Sequence, residues 1–257
     1  MAIPPDPTVD ASAVLAAQIL KLQSDVIGVQ EVDYFLERSG NHNQVGNIAT
    51  VMKAADWAFA PSLFGNPDEK WRKPHNKDLK IVTNKSPEGE AGYGIGMISL
   101  LPVKSWHRLD LKGAPIGVFM MFPVDGKLKR FYVRDHPRSA LGAILENGWL
   151  IINTHLSFVP FFNYRQLKQT KRWANTLGVA PEKVLLMGDF NIPSQKIVAG
   201  RKWNVLTTGK TFPSWQPKVE IDFMLSQRLT PNEVEQITYA HAGMSDHLPL
   251  QIVVSDE

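Results

Sequence analysis

The feature that most constrains the fold is an apolar run, Leu185 to Met187, that ends in a glycine, an acid and an amide. Such a short run bounded by Gly188 predicts a strand buried within a sheet. Because side chains alternate along an extended segment, Asp189 and Asn191 are expected to share one side of it. A carboxylate and an amide directed at one point beside a buried sheet predict a polar ligand there, since burying them unpaired is costly. The alternative is an Asx turn that only closes the strand.

Composition narrows the class of protein. A chain of 257 residues with 44% hydrophobic content is typical of one large globular domain. There are no cysteines, which excludes disulfides, thiolate metal sites and a cysteine nucleophile, and favours a cytoplasmic protein. We expect no secretory signal within Met1–Asp10 and no membrane span, because no apolar run approaches about 20 residues. The net charge of +3 mildly favours a polyanionic substrate.

Helical and strand-like patterns alternate along the rest of the chain. Apolar residues at helical spacing predict helices over Ala11–Gln23 and Asn43–Ala55, and a third through Leu167 and Leu177 that Gly178 ends. Short apolar or alternating runs predict strands at Asp25–Val29, Tyr93–Ser99, Ile116–Phe122, Leu128–Val133, Ala140–Leu145, Leu150–Asn153, Glu220–Leu225 and Gln251–Val254. Residues 65–92 predict a long loop or a pair of ragged edge strands. The whole pattern predicts a core of two sheet layers with helices outside.

Polar residues follow several of the predicted strands, and strand ends are where sites collect. The candidates are Glu31, His155, Asp189, Asn191, Asp222, Asp246 and His247. Four carboxylates and two imidazoles need a cation or close pairing to share a site, because like charges repel in a poorly hydrated cleft. Carboxylates with an amide form an oxygen-rich set that suits Mg²⁺ or Mn²⁺. Each residue has a simpler interpretation too: a turn or surface residue, a core histidine for His155, or a structural partner for Asp222.

Six segments resemble, in order, motifs of the endonuclease/exonuclease/phosphatase superfamily. They are Gln30-Glu31-Val32, Tyr93–Ser99, Asn153-Thr154-His155-Leu156, Gly188-Asp189-Phe190-Asn191, Ile221-Asp222-Phe223 and Ser245-Asp246-His247. The resemblance covers about residues 11 to 254. It implies a single α/β domain over residues 1–257, a four-layer αββα sandwich of two mostly antiparallel sheets flanked by helices. It also implies hydrolysis of a phosphate ester with a divalent metal.

The resemblance implies a role for each polar residue. Glu31 is the expected metal ligand and Asp246 a second acid near the metal. His247 is expected to activate the attacking water, with Asp222 orienting it. His155 resembles the histidine that binds the phosphate or protonates the leaving oxygen. The pair Asp189 and Asn191 resembles the residues that position the nucleophile and the phosphoryl oxygens.

The chain departs from the family at its beginning. Where members have a first strand with an Asn, this chain has Ala2-Ile3-Pro4-Pro5-Asp6, whose prolines argue against an inner strand. We therefore expect the first strand to be missing and a neighbouring strand to be left unpaired, open to pairing with another chain. In the segment His136-Pro137-Arg138, Arg138 is a candidate for binding substrate phosphate, with a surface arginine as the alternative.

Three functions fit these expectations. A metal-dependent phosphodiesterase or nuclease leads, and the cluster Trp71-Arg72-Lys73 would suit a nucleic acid backbone and base. A lipid or inositol phosphate hydrolase comes second, with Phe158–Phe162 as a loop that touches a membrane, unless it is buried. A non-catalytic binding protein that kept the fold is the third, supported only by the missing strand. The oligomeric state and the substrate stay open.

Overall fold

Two sheets packed face to face form the centre of the fold, in a computed structural model that describes residues 17–124, 127–240 and 245–255. The first sheet contains β1 (Val26–Tyr34), β2 (Asp56–Gly65), β3 (Trp71–Arg72), β4 (Val82–Thr83) and β5 (Gly92–Ser99). Its order is β1-β5-β2-β3, with β4 also paired to β2. All of its pairs are antiparallel within the described residues.

The second sheet supplies most of the candidate site. Its strands are β6 (Val103–Leu111), β9 (Arg138–Leu145), β10 (Leu150–His155), β11 (Val184–Asp189), β12 (Asn204–Val205) and β13 (Asp222–Ser226). Their order is β12-β13-β11-β10-β9-β6, and β10 and β11 are parallel while the other pairs are antiparallel. Two hairpins pair only within themselves among the described residues: β7 (Val118–Val124) with β8 (Lys127–Val133), and β14 (Val234–Thr238) with β15 (Leu250–Val254).

Helices cover the outer faces of both sheets. The helix α1 (Gln44–Met52) packs on the first sheet, and α2 (Phe162–Ala174) and α3 (Gln195–Ala199) pack on the second. Short 3₁₀ turns occur at Glu37–Ser39, Pro181–Lys183 and Pro231–Glu233, and residues 17–20 are helical. Within the described chain, no helix combines the length and apolarity that a membrane crossing requires.

Three apolar layers follow from this arrangement. Ile95 and Met97 of the first sheet pack against Leu141 and Ala143 of the second. The other two layers lie outside, between α1 and the first sheet and between α2 and the second. The strands are therefore buried on both faces, as the continuous apolar run that forms β11 predicted. The predicted αββα sandwich is confirmed.

Several elements differ from the sequence predictions. The pattern did not reveal β2, β6, β14 or α3, and β2 carries a proline in mid-strand. A register shift between Pro61 and Leu63 accommodates that proline in a buried strand. The helix expected to reach Gly178 ends at Ala174. The helix predicted from Ala11 lies partly outside the described residues. The segment where the first strand was predicted to be missing, Ala2-Ile3-Pro4-Pro5-Asp6, lies wholly outside them.

The side chain of Asn153 joins the two sheets. It is fully buried, and its Nδ2 donates to the carbonyl oxygens of Val29 (3.0 Å) and Gly96 (2.9 Å) in the opposite sheet. Its Oδ1 accepts a hydrogen bond of 2.6 Å from Nε2 of Gln30. One buried amide thus bonds polar atoms of the opposite sheet on both sides of the β1–β5 pairing, beside the bulge in β1.

We predict that Asn153→Ala lowers the free energy of unfolding by about 3 kcal/mol, because the carbonyl oxygens of Val29 and Gly96 lose their donor. The control is Thr176→Ala. The hydroxyl of the exposed Thr176 also donates to a backbone carbonyl, that of Trp173 at 2.7 Å, and its loss should change stability by less than about 0.5 kcal/mol. Urea unfolding of both variants measures the difference. Equal costs for the two substitutions would contradict the bridging role of Asn153.

Candidate active site

Three polar side chains lie in one row across the second sheet. His155 ends β10 and is the register partner of Asp189, which ends the parallel strand β11. Asp189 is in turn the partner of Asp222, the first residue of β13. Directly paired residues of neighbouring strands point to the same side of a sheet, so the register alone brings these three groups together. As predicted, His155 and Asp189 each lie at the end of a strand, whereas Asp222 lies at the beginning of one.

The turn after β11 explains why glycine precedes the acid. Gly188 has φ 137°, and a Cβ there would lie 1.8 Å from the carbonyl oxygen of Thr154. Beyond it, the Asp189 carboxylate accepts a hydrogen bond of 2.8 Å from the backbone N–H of Asn191, which has φ 51°. Phe190 is fully buried against Phe223. The Asx turn is therefore present, and the same carboxylate also lies beside His155, while the binding of a polar ligand there stays a prediction.

A bulge in β1 delivers Glu31. The register with β5 shifts between Val29 and Val32, and Glu31 has φ 56°, a conformation that non-glycine residues rarely adopt. The carboxylate lies 3.8 Å from Nε2 of His155 and is hydrogen-bonded to the buried Tyr93 hydroxyl. The sequence prediction placed Glu31 beyond the strand; it lies inside the strand, at an irregularity that turns its side chain toward the second sheet.

His247 and Asp222 form a hydrogen-bonded pair on the other side of Asp189. The two side chains meet at 2.7 Å through Nδ1 and Oδ2, and the Thr211 hydroxyl donates to the same carboxylate oxygen. Nε2 of His247 lies 4.0 Å from Asp189. The neighbouring Asp246 is half-buried, and its backbone carbonyl accepts a bond of 2.7 Å from the Ser214 N–H.

Arg138 is buried behind His155, only 3% exposed, so the surface-arginine alternative is wrong. One terminal guanidinium nitrogen lies 3.0 Å from Nδ1 and 2.9 Å from Nε2 of the imidazole. Another lies 3.5 Å from Asp135, which also accepts a bond from Ser157. Burial lowers the pKa of His155 well below its usual range, and the charge of Arg138 lowers it further. Burial and the Arg138 charge thus both favour the neutral form of the His155 imidazole.

Sequence reasoning missed several members of this network. Tyr93, Thr211, Asp135 and Ser157 are buried or half-buried polar residues whose partners come from distant parts of the chain. Asp135 immediately precedes the His136-Pro137-Arg138 segment and Tyr93 lies in the glycine-rich strand β5, two segments that had been singled out for other residues. Thr211 carries no signal in the sequence, because its role exists only through contact with Asp222.

The carboxylates make the site strongly acidic. Burial raises the pKa of Asp189 to about 8, and the charge of Asp222 adds to the increase. Burial opposes a charge on His247, yet the hydrogen bond to Asp222 and the charges of Asp222, Asp189 and Asp246 raise its pKa to about 9. The negative charge of Asp222 contributes to both shifts, in addition to burial at Asp189 and against burial at His247.

The residues present fit a divalent cation. Asp189, Asp222 and His247 offer ligand atoms within 4.8 Å of one another. Glu31 and Asp189 also approach a common atom, Nε2 of His155, to 3.8 and 3.5 Å. A cation would relieve the excess negative charge that raises the pKa of Asp189, and the mainly oxygen donor set suits a hard ion such as Mg²⁺ or Mn²⁺.

We predict that the metal-free protein loses stability as the pH rises from about 6.5 to 9. The folded-state pKa of His247, about 9, exceeds its unfolded value of 6.5, so its stabilising contribution is complete below 6.5 and is lost as the pH rises through 9. The raised pKa of Asp189 acts in the same direction up to about 8. The melting temperature of the wild type with EDTA should fall across this pH range. The fall should be less steep for Asp222→Asn, and as steep as in the wild type for His107→Gln on β6. A rising or flat profile would contradict the pairing.

Solved structures share this fold at low sequence identity. A mannosyl-6-phosphatase of Bacteroides thetaiotaomicron is 13% identical with a TM-score of 0.56, over 95% of this chain and 90% of its own. An endonuclease/exonuclease/phosphatase family protein of Leptotrichia buccalis is 14% identical with a TM-score of 0.56, over 99% and 96%. Beta toxin of Staphylococcus aureus, solved with bound magnesium ions, is 11% identical with a TM-score of 0.53, over 95% and 91%.

The family assignment does not depend on these neighbours. No curated protein matches the chain. A model of the Endonuclease/Exonuclease/phosphatase family, however, matches residues 4–247, nearly the whole length. This match begins before the first described residue and ends at His247. The protein therefore belongs to the endonuclease/exonuclease/phosphatase family.

Proposed function

We propose that the protein is a divalent-metal-dependent phosphodiesterase. The observation that carries the proposal is the Asp222–His247 pair, joined at 2.7 Å. It lies beside Asp189 and His155, at one end of the adjacent strands β10, β11 and β13. A carboxylate that orients an imidazole, facing a second imidazole and a cluster of acids, is suited to hydrolysis of a phosphate ester.

His247 is the proposed general base. Its Nδ1 donates to Asp222, which fixes the tautomer and leaves Nε2 facing Asp189. An imidazole in this orientation accepts a proton from water at Nε2, and the Asp222 carboxylate stabilises the imidazolium that forms. The Thr211 hydroxyl holds the same carboxylate in place. Asp222 and Thr211 are thus proposed as positioning residues.

His155 and Asn191 are proposed to bind the phosphoryl oxygens. Nδ2 of Asn191 lies 3.4 Å from Nε2 of His155 and 3.0 Å from the Leu156 carbonyl oxygen, so the two side chains present polar groups to one region. A neutral His155 donates one hydrogen bond, and the amide of Asn191 donates without adding negative charge. Arg138, buried behind His155, is proposed to orient it and to add positive charge beneath the phosphate rather than to contact substrate directly.

Glu31 and Asp189, which both approach Nε2 of His155, are proposed to hold Mg²⁺ or Mn²⁺, with Asp246 as a further acid near the ion. When bound, the ion supplies positive charge that offsets the charge on the phosphoryl oxygens and, by neutralising the carboxylates, lowers the pKa of His247 toward that of a general base. The magnesium bound to the beta toxin of Staphylococcus aureus supports this choice of ion. Tyr93 donates to Glu31 and so fixes the carboxylate from behind.

Two observations bear on the substrate. In the Trp71-Arg72-Lys73 cluster, Arg72 is paired with Asp78 at 2.7 Å and with Glu90, so its charge is already compensated. This weakens the case that the cluster grips nucleic acid. Phe161, which is 81% exposed in the segment that follows His155, favours a second candidate function, hydrolysis of phospholipids or other lipid phosphates. Nicking of plasmid DNA and hydrolysis of phospholipid vesicles, measured side by side, separate the two substrates.

We predict that His247→Ala and Asp222→Asn each lower kcat/KM for bis(para-nitrophenyl) phosphate by about 10²–10⁴-fold, since one removes the base and the other its orienting partner. His107→Ala is the control, because His107 lies on β6 and bonds Ser105 rather than the site. Retention of activity in both site variants would overturn the proposed base. If the wild type hydrolyses no phosphodiester or monoester with either metal, the protein is a binding protein that kept the fold.

We predict that EDTA abolishes hydrolysis and that Mg²⁺ or Mn²⁺ restores it. Glu31→Gln should raise the metal concentration for half-maximal activity at least about tenfold, because an anionic ligand is lost. Glu146→Gln, an exposed acid at the opposite end of the second sheet, should leave this concentration unchanged. Equal metal requirements for the wild type and Glu31→Gln would contradict the assignment of Glu31.

A further inference from the structure

The hairpin formed by β7 and β8, residues 118–133, carries large apolar side chains on both faces. Phe119 and Tyr132 are register partners that share one face, and they are 58% and 52% exposed. Met120 and Phe131 are partners on the other face, where Phe131 is also exposed. Ile116 and Met121 extend the exposed apolar surface. We refer to these side chains together as the apolar hairpin.

This pattern is unusual for a hairpin that faces water. An antiparallel ribbon with one solvated face alternates apolar and polar residues, and a two-stranded ribbon alone is marginally stable. Here Val118, Phe119, Met120 and Met121 follow one another in β7 with no polar residue between them, and among the described residues β7 and β8 pair only with each other. Contiguous exposed apolar surface of this kind marks a contact with another molecule or with lipid.

The charge of the hairpin indicates what it contacts. Residues 116–134 contain four of the 28 Lys and Arg residues and one of the 25 acids, so this segment carries the whole net charge of +3. The Arg130 guanidinium lies 3.8 Å from the centre of the Phe119 ring, which joins a cation directly to the exposed aromatic surface. Apolar side chains interleaved with cations match the interface of an anionic lipid bilayer, where the rings enter the acyl boundary and the cations meet headgroups.

The hairpin is anchored to the wall of the active site. Directly after it, the buried Asp135 carboxylate accepts bonds from the Ala114 N–H (2.6 Å), on the segment that leads into β7, and from the Ser157 hydroxyl (2.7 Å). Three residues later, Arg138 contacts His155. The base of the hairpin also borders a cleft of about 170 Å³ lined by Trp71, Lys73, Ile116, Arg134 and His136.

A second apolar protrusion leaves the same region. Phe161, four residues after Ser157, is 81% exposed, and its φ of 67° is strained for an aromatic residue. Of the predicted Phe158–Phe162 loop, Val159 is buried and Phe161 is not, so the loop is neither wholly packed nor wholly free. Phe161 and the apolar hairpin therefore both extend from the segments that Asp135 and Ser157 join beside the site.

We propose that the apolar hairpin and Phe161 form a contact surface for an anionic membrane, which seats the active site against phosphate esters at the lipid surface. The use of that surface in catalysis rests on the proposed phosphodiesterase function, whereas membrane contact itself does not. Nucleic acid is the less favoured occupant. Aliphatic Ile116 and Met121 offer no ring for stacking on a base. Their transfer from water into lipid is nevertheless about as favourable in free energy as that of the aromatic side chains.

The test measures vesicle binding apart from catalysis. The full chain is sedimented with vesicles of equal parts phosphatidylcholine and phosphatidylglycerol, and with vesicles of phosphatidylcholine alone. We expect the wild type to bind the anionic vesicles. The double variant Phe119→Ser, Phe131→Ser should bind them at least about tenfold more weakly. A separate variant, Phe161→Asn, keeps a residue that tolerates the left-handed conformation and should weaken binding without disturbing the fold.

The control is Leu100→Ser, an exposed apolar residue at the end of β5 remote from Tyr93, which should bind vesicles like the wild type. Hydrolysis of bis(para-nitrophenyl) phosphate reports on the site independently, and all these variants should retain it. If this activity is absent while vesicle binding depends on the hairpin, the proposed catalysis fails and the contact surface stands. No binding of the wild type, equal binding by the hairpin variants, or loss of oligonucleotide binding instead of vesicle binding would overturn the proposal.

Discussion

The register between β10, β11 and β13 is the constraint on which the site depends. It sets His155, Asp189 and Asp222 in one row on three adjacent strands, so their separations are fixed by backbone hydrogen bonds rather than by flexible loops. A shift of one residue in either pairing would turn one of these side chains to the opposite face. The close approach of Gly188 to Thr154 helps to exclude such a shift, because no other residue fits at that point of the pairing.

The second requirement is that the first sheet contributes a carboxylate to a site built mainly on the other sheet. The bulge in β1 turns Glu31 toward His155, and Asn153 of the second sheet bonds the backbone of Val29, just before the bulge. The irregular backbone and the group that satisfies its carbonyl oxygens therefore come from different sheets. Strain of this kind persists only where the surrounding structure holds it in place, and it concentrates at functional sites.

The electrostatics of the site and its surroundings differ in sign. The cleft itself is acidic, as the pKa values of about 8 for Asp189 and about 9 for His247 indicate, and it is suited to a cation. Beside it, the hairpin of β7 and β8 carries excess positive charge together with exposed aromatic rings. In the proposed function, an anionic substrate held by such a surface would meet a site that needs a bound cation to accept it, and the metal would then take part in recognition as well as in hydrolysis.

Much of this could be predicted from the sequence, because local patterns report local structure. The apolar run before Gly188, the Asp189–Asn191 turn and the pairing of a histidine with an acid near the end of the chain follow from residue types and from the family resemblance. The strand β2 was missed, because Pro61 disguises a buried strand whose bulge only its partner β5 makes possible. Arg138 was considered for substrate phosphate, and its burial behind His155 depends on the packing of β9 against β10.

The amino-acid sequence by itself determined most of the buried strands and the polar residues that follow them. Only the tertiary structure decided which atoms meet: Glu31 with Tyr93 and His155, Asp222 with Thr211, and Asp135 with the base of the hairpin. It also decided that Phe119, Met121, Phe131 and Tyr132 of β7 and β8 lie on the surface rather than in the core. The physical reason is that alternation along a strand reports only which residues share a face, whereas packing between distant segments determines what covers that face.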